Sequence, residues 1–191
     1  GIWLWLSANI DFDDTLVDLG TEKGAKYVTR LASDIADMTS LAVVKGVVLD
    51  IDNGDKTKSV RLTTDMIKTV RTSCKKYLLL SLMSYYFDDP LYYGQDYEKL
   101  APYCDGFLPM IYRGNYNRTP EDCGKAVKAC LLHAPNKIIA CLQTYDSDQR
   151  LEQAIKLGKG DTEIYTDAEM QKDYSIVTGS GSDGCFLFER N

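Results

Sequence analysis

The segment "GVVLDIDNG", residues 46–54, runs from continuous apolar residues into two aspartates that lie two positions apart. An apolar run of this kind is typical of a parallel strand that is covered on both faces. Because side chains two positions apart share one face of a strand, Asp50 and Asp52 are predicted to point the same way as Val48. The segment therefore predicts a buried strand that ends in a pair of carboxylates.

Similar apolar segments recur along the chain and alternate with segments of helical period. Strands are predicted over residues 2–8, 45–51, 77–84, 106–112, 137–145 and 184–189. Helices are predicted over residues 21–39, 59–74, 120–132 and 167–177. Thr119 followed by Pro120 marks the start of the third helix, since threonine caps helices and proline suits the first helical position. Strands that alternate with helices predict an α/β protein with a parallel sheet.

The length of the chain restricts the fold further. No glycine-rich phosphate loop follows the first strand, which argues against a dinucleotide-binding fold. A (β/α)8 TIM-type barrel fits better, but eight units usually need about 250 residues, and the chain has 191. We therefore expect a single, partial TIM-type barrel over residues 1–191 that lacks the first two βα units. A partner chain or a missing amino-terminal segment is expected to complete it.

Composition narrows the classes of partner. The formal net charge is −6 and no Lys/Arg cluster is present, so nucleic acid is not an expected partner. No apolar run reaches the roughly 18–20 residues of a membrane span. The six cysteines form no CxxC pair and His133 is the only histidine, so no cofactor or Cys/His zinc site is expected. Asp50, Asp52 and Asp55 could supply oxygen ligands to a metal ion, but their spacing matches no EF-hand loop.

Polar or aromatic side chains stand at the carboxyl-terminal end of every predicted strand, which is where barrels carry their function. The predicted catalytic carboxylates are Asp50, Asp52 and Glu189. The predicted substrate-binding side chains are Trp5, Asn9, Tyr85, Met110, Tyr112, Gln143 and Tyr145. Aromatic rings stack on sugars, and two carboxyl groups can divide the acid and base work of glycoside cleavage. For Asp52, a turn cap is an equally good interpretation.

Three segments carry a resemblance to a known family. They are "YYGQDYEKLAPYCDGFLPMIYRGNY" (92–116), "CLQTYDSD" (141–148) and "DGCFLFER" (183–190). They resemble glycoside-hydrolase-like TIM barrels of methanogenic archaea, of the kind attached to pseudomurein-binding repeats, and the resemblance extends from about residue 1 to 191. A weaker similarity links "GVVLDID" to the chitinase-type strand "DGIDLDWE", in which Asp50 matches the last aspartate and Asp52 the acid. Tyr112 similarly matches the tyrosine of the chitinase "MTY" strand.

The resemblance implies a polysaccharide-active or polysaccharide-binding protein, located outside the cell or on its surface, with pseudomurein or a chitin-like glycan as its target. Two departures from the family leave the activity open. The family's "LDYIRY" reads "LDIDNG" here, and its "LMPE" reads "LMSY", which puts Tyr85 in place of an acid. We therefore hold two hypotheses. The first is a glycosidase. The second is a non-catalytic module on a degenerate barrel, which either binds glycan or serves as a structural part of a cell surface or a virus.

Overall fold

The structure is a computed structural model that describes residues 1–8, 17–51, 59–144 and 167–188. The strands in these ranges are β1 (Ile2–Ser7), β2 (Val44–Asp50), β3 (Tyr77–Met83), β4 (Gly106–Ile111), β5 (Ala140–Gln143) and β6 (Cys185–Phe188). The helices are α1 (Glu22–Ser40), α2 (Val60–Ser73), α3 (Tyr97–Leu100), α4 (Pro120–His133) and α5 (Asp167–Gly179). The predicted strands and helices agree with these bounds to within a few residues. The short α3 was not predicted, because one helical turn shows no period.

The chain divides into two compact units. The first unit comprises Gly1–Met83 and Asp89–Phe107, and the second comprises Ser84–Asp88 and Leu108–Asn191. In the first unit, β1, β2 and β3 lie side by side and parallel. α1 packs on β2 and on α2. The predicted burial of β2 on both faces is confirmed, since Val47, Val48 and Leu49 are all 0% exposed.

In the second unit, β4 from Leu108 onward, β5 and β6 lie side by side and parallel, and α4 packs on α5. The predicted start of α4 is confirmed by a capping box. The Thr119 hydroxyl accepts from the Asp122 N–H at 3.3 Å, and the Asp122 carboxylate accepts from the Thr119 N–H at 3.1 Å. These bonds satisfy the N–H of Thr119 and give the N–H of Asp122 a second acceptor besides the carbonyl of Thr119 at 3.1 Å.

Replacing Thr119 with alanine is expected to lower the free energy of unfolding by about 1 kcal/mol. The substitution removes the hydroxyl that accepts from the Asp122 N–H, which then keeps only its bond to the carbonyl of Thr119 at 3.1 Å. Urea denaturation followed by circular dichroism measures the change. Thr29→Ala is the control, because Thr29 is an exposed threonine inside α1, where alanine is the better helix former. Equal effects of the two substitutions would contradict the capping role.

The chain is thus an α/β protein in which each unit contains parallel strands in chain order. A partial TIM-type barrel requires this arrangement of strands and helices. The complete eight-unit barrel stays a prediction. Among the described residues, no helix has the length and apolar character needed to cross a membrane.

Candidate active site

A polar row crosses the carboxyl-terminal ends of the strands in the first unit. The register pairs Ser7 with Asp50, and Asp50 with Ser81. Residues that are paired in register share one face of a sheet, so these three side chains lie side by side. The row lies one layer beyond the paired residues Trp5 and Val48. This places Asp50 at the end of its strand where the sequence predicted functional groups.

Asp50 and Trp5, two of the predicted site residues, are in direct contact. The indole Nε1–H of Trp5 donates a hydrogen bond to Oδ2 of Asp50 at 3.0 Å. A hydrogen bond to a carboxylate is stronger than one between neutral groups, so it fixes the orientation of the side chain as well as stabilising its charge. The predicted role of Trp5 in binding substrate stays a prediction, and the structure adds this contact with Asp50.

Ser81 is a site residue that the sequence analysis missed. It is 0% exposed, and its Oγ has no hydrogen-bond partner within the described part of the chain. Its register with Asp50 places this hydroxyl in the polar row. In the sequence Ser81 is one polar residue in the apolar run "YLLLSLMS". Only the pairing of Ser81 in register with Asp50 identifies it as a residue of the candidate site.

Gln95 is a second missed residue, and it ties together the strand ends that carry the polar row. It is 0% exposed. Its Oε1 accepts from the N–H of Met83 at 2.7 Å, and its Nε2 donates to the carbonyl of Ile51 at 2.9 Å. The hydroxyl of Tyr97 donates to the carbonyl of Met83 at 2.8 Å. The backbone directly after Asp50 is therefore linked to the end of β3 by one buried side chain.

Replacing Gln95 with leucine is expected to lower the free energy of unfolding by about 2–4 kcal/mol, because it removes two hydrogen bonds and strands two buried backbone groups. Chemical denaturation measures the loss. The control is Gln171→Leu, an exposed position on α5, where we expect a change within about 0.5 kcal/mol. If the two variants unfold at the same denaturant concentration, Gln95 does not hold the strand ends together in solution.

Tyr112 and Gln143, both predicted to bind substrate, are buried in the second unit. The hydroxyl of Tyr112 lies 3.6 Å from Sγ of Cys141, and its ring stacks on Phe188 with the ring centroids 5.5 Å apart. Gln143 is 2% exposed, and its Oε1 accepts from the N–H of Asn115 at 3.5 Å. The sequence predicted that these residues lie at the ends of strands but not what covers them.

Met110 and Tyr85, the other described substrate-binding candidates, also belong to the second unit. Met110 is partly buried on β4 and pairs in register with Cys141. The ring of Tyr85 stacks on His133, with centroids 4.1 Å apart and an interplanar angle of 21°. One face of Tyr85 is therefore covered by a residue of α4. His133 occupies the last turn of that helix.

A buried ion pair follows Tyr112 along the chain. Nε of Arg113 donates to Oδ2 of Asp173 at 2.7 Å, and the two side chains are 13% and 3% exposed. Burial raises the pKa of the Asp173 carboxyl, and Arg113 acts in the opposite direction. Burial, reinforced by the charge of Asp173, raises the pKa of the Cys123 thiol to about 12. Cys123 therefore stays protonated near neutral pH and is a poor nucleophile.

Four predicted site residues lie outside the described residues: Asn9, Asp52, Tyr145 and Glu189. Asp55, the third residue of the possible oxygen-ligand set, lies outside them as well. The roles assigned to these residues stay predictions. Asp50 is the one predicted catalytic carboxylate whose surroundings the structure describes.

Comparison with known proteins gives the fold of the chain. No protein-family model matches the sequence, and no curated protein matches it. A class V chitinase from Pseudomonas fluorescens Pf-5 matches with a TM-score of 0.70 and 15% identity, over 97% of this chain and 75% of that chain. YdhD of Bacillus subtilis, reported as a sporulation-specific glycosylase, matches with a TM-score of 0.67 and 13% identity, over 96% of this chain and 78% of that one.

Both matches have too little sequence identity to show more than a shared fold. The chain has a fold similar to that of chitinase- and glycosylase-type barrels. This agrees with the weaker of the two sequence resemblances, the one carried by Asp50 and Tyr112. The resemblance to archaeal barrels stays a prediction.

Proposed function

We propose that the chain belongs to a glycoside-hydrolase-like protein that acts on a cell-wall or surface polysaccharide, with a chitin-like glycan or pseudomurein as the substrate. The observation that carries the proposal is the Asp50 carboxylate, held by the indole N–H of Trp5 at 3.0 Å and flanked in register by Ser7 and Ser81. A fixed carboxylate between two hydroxyl groups can bind sugar hydroxyls. It can also stabilise the positive charge that develops on the sugar as the glycosidic bond breaks.

In this proposal Asp50 is the core carboxylate, and Asp52 or Glu189 is the partner acid. The protonated member of the pair donates its proton to the glycosidic oxygen as the bond to the anomeric carbon breaks. The ionised member either activates the attacking water or attacks the anomeric carbon itself. Trp5 keeps Asp50 from rotating away during these steps. A substrate of this kind places the protein outside the cell or on its surface.

The fold supports the proposal, because two of the structures that match the chain are named as a chitinase and a glycosylase. The test is an assay of reducing ends released from chitin oligosaccharides and from pseudomurein by the purified protein. Release that increases with protein concentration supports the proposal. Without release from either substrate, the hydrolase assignment is abandoned.

A non-catalytic, glycan-binding or structural module is the second candidate. The specific observation in its favour is Tyr85, which stands where the family resemblance places an acid and whose ring is stacked on His133. In this case the protein should bind the oligosaccharides without cleaving them, and Asp50→Asn should leave that affinity unchanged. If the protein neither binds nor cleaves the oligosaccharides, only the structural role remains.

A further inference from the structure

A basic pocket lies at the opposite, amino-terminal ends of the strands in the first unit. Its volume is about 360 Å³, and the charged residues that line it are Lys45, Arg71, Lys75, Lys76 and Asp105. Four cations and one anion give this pocket a local charge of +3, in a chain whose formal net charge is −6. Such a concentration of positive charge against an acidic background indicates a site for an anion.

Arg71 and Asp105 form the rigid wall of this pocket. Nη1 of Arg71 donates to Oδ2 of Asp105 at 2.9 Å, and its Nη2 donates to the carbonyls of Cys74 and Lys76 at 2.9 and 3.1 Å. The N–H of Lys75 donates to the hydroxyl of Thr39 at 3.2 Å. The turn that leads into β3 is thereby fixed at several points. Its two lysines are presented from a rigid backbone.

The remaining cations are available to a ligand. Within the ranges that the structure describes, Lys45, Lys75 and Lys76 make no ion pair. Arg71, by contrast, already neutralises Asp105. Three lysines that line one open pocket can together supply several charge-assisted hydrogen bonds to the oxygens of a carboxylate or phosphate.

An exposed aromatic pair borders the pocket. Tyr77 lines the pocket and is 61% exposed, and its ring stacks on that of Trp3, which is 40% exposed, with centroids 6.1 Å apart. The register places both residues beside Gly46. A Cβ at that position would collide with the indole ring of Trp3. Glycine therefore allows the indole to lie across β2 towards Tyr77, which leaves a flat apolar surface next to the lysines.

We propose that this pocket binds an acidic sugar. Its carboxylate or phosphate group lies among Lys45, Lys75 and Lys76, and its ring packs on Tyr77. The volume lies in the range of small-molecule sites, roughly 300–1,000 Å³. The acidic character of the rest of the chain disfavours a long polyanion such as nucleic acid. The pocket and Asp50 lie at opposite ends of the strands, so this inference stands or fails independently of the proposed function.

Isothermal titration calorimetry at low ionic strength tests the inference on the whole chain. There are three probes. The first is a hyaluronan tetrasaccharide, whose glucuronate units supply carboxylates. The second is glucose 6-phosphate, and the third is the uncharged N-acetylglucosamine tetramer. We expect one or both acidic probes to bind. Any binding of the neutral tetramer, which is a chitin oligosaccharide, belongs to the candidate active site and should be the same in the wild type and in the variant that removes the lysines. The better acidic probe shows whether the group recognised is a carboxylate or a phosphate.

The double variant Lys75→Gln/Lys76→Gln is expected to bind the better acidic probe with a Kd at least about tenfold higher than that of the wild type. Tyr77→Ala is expected to weaken the binding of the sugar while leaving that of inorganic phosphate unchanged. Lys128→Gln, an exposed position on α4, is the matched control and should bind like the wild type.

Four outcomes would overturn the inference. The first is that neither acidic probe binds, and the second is that the double variant binds as well as the wild type. The third is that uridine monophosphate binds more tightly than both acidic sugars, which would reassign the pocket to nucleotides. The fourth is loss of the measured binding in Asp50→Asn, which would place the sugar at the candidate active site instead.

Discussion

Replacing Asp50 with asparagine is expected to lower the release of reducing ends at least about a hundredfold, the lower range for a carboxyl group that takes part in acid–base chemistry. Asparagine keeps the shape of the side chain, and its amide oxygen can still accept from the indole N–H of Trp5. The negative charge and the exchangeable proton are lost. A hundredfold effect corresponds to about 2.7 kcal/mol of transition-state stabilisation.

The measurement is kcat/KM on chitin oligosaccharides, with circular dichroism to establish that the variant is folded. Asp34→Asn is the matched control, because Asp34 is an exposed aspartate on α1, and we expect it to retain wild-type activity. Activity of Asp50→Asn within about twofold of the wild type would exclude Asp50 from the chemistry. The catalytic carboxylates would then have to be Asp52 and Glu189, and the polar row would take no part in cleavage.

The sequence predicted the elements of this fold well, because their signals are local. The continuous apolar residues of β2 identified a buried strand, and Thr119 with Pro120 located the start of α4. Parity alone placed Asp50 on the face of Val48, two positions earlier. In each case the deciding residues lie within a few positions of one another.

The candidate site was less predictable, because it depends on contacts between distant residues. Gln95 meets the carbonyl of Ile51, 44 positions earlier, and neither residue carries a mark of this contact in the sequence. Trp5 and Asp50, 45 positions apart, were both predicted site residues, yet their direct hydrogen bond was not predicted. The burial of Tyr112 depends in the same way on a residue near the end of the described chain, Phe188.

Replacing Arg113 with methionine is expected to lower the free energy of unfolding by about 3–5 kcal/mol near neutral pH, the usual cost of removing one partner of a buried ion pair. Methionine replaces much of the packing volume but none of the charge. Asp173, 3% exposed, then carries its charge without the guanidinium that lies 2.7 Å away in the wild type. A buried charge without a counter-ion is costly.

The loss should depend on pH in a defined direction. Burial already raises the pKa of Asp173 in the folded protein, and Arg113 opposes this rise. Without Arg113 the pKa of Asp173 in the folded state rises further above its pKa in the unfolded chain. At pH values between these two pKa values, the native protein binds more protons than the unfolded chain. Stability therefore falls as the pH rises through this window. The variant should recover part of its deficit, relative to the wild type, as the pH is lowered.

Urea denaturation at several pH values, from about pH 7 to about pH 4, measures this dependence. The double variant Arg113→Met/Asp173→Leu is expected to regain much of the lost stability, because it contains no buried charge at this position. Arg61→Met is the matched control. Arg61 pairs with Asp65 at 3.3 Å on the surface, with the side chains 76% and 60% exposed, and removing such a pair costs about 0.2–1 kcal/mol. If Arg113→Met lost no more than Arg61→Met, or lost the same amount at every pH, Asp173 would not be a buried charge in solution.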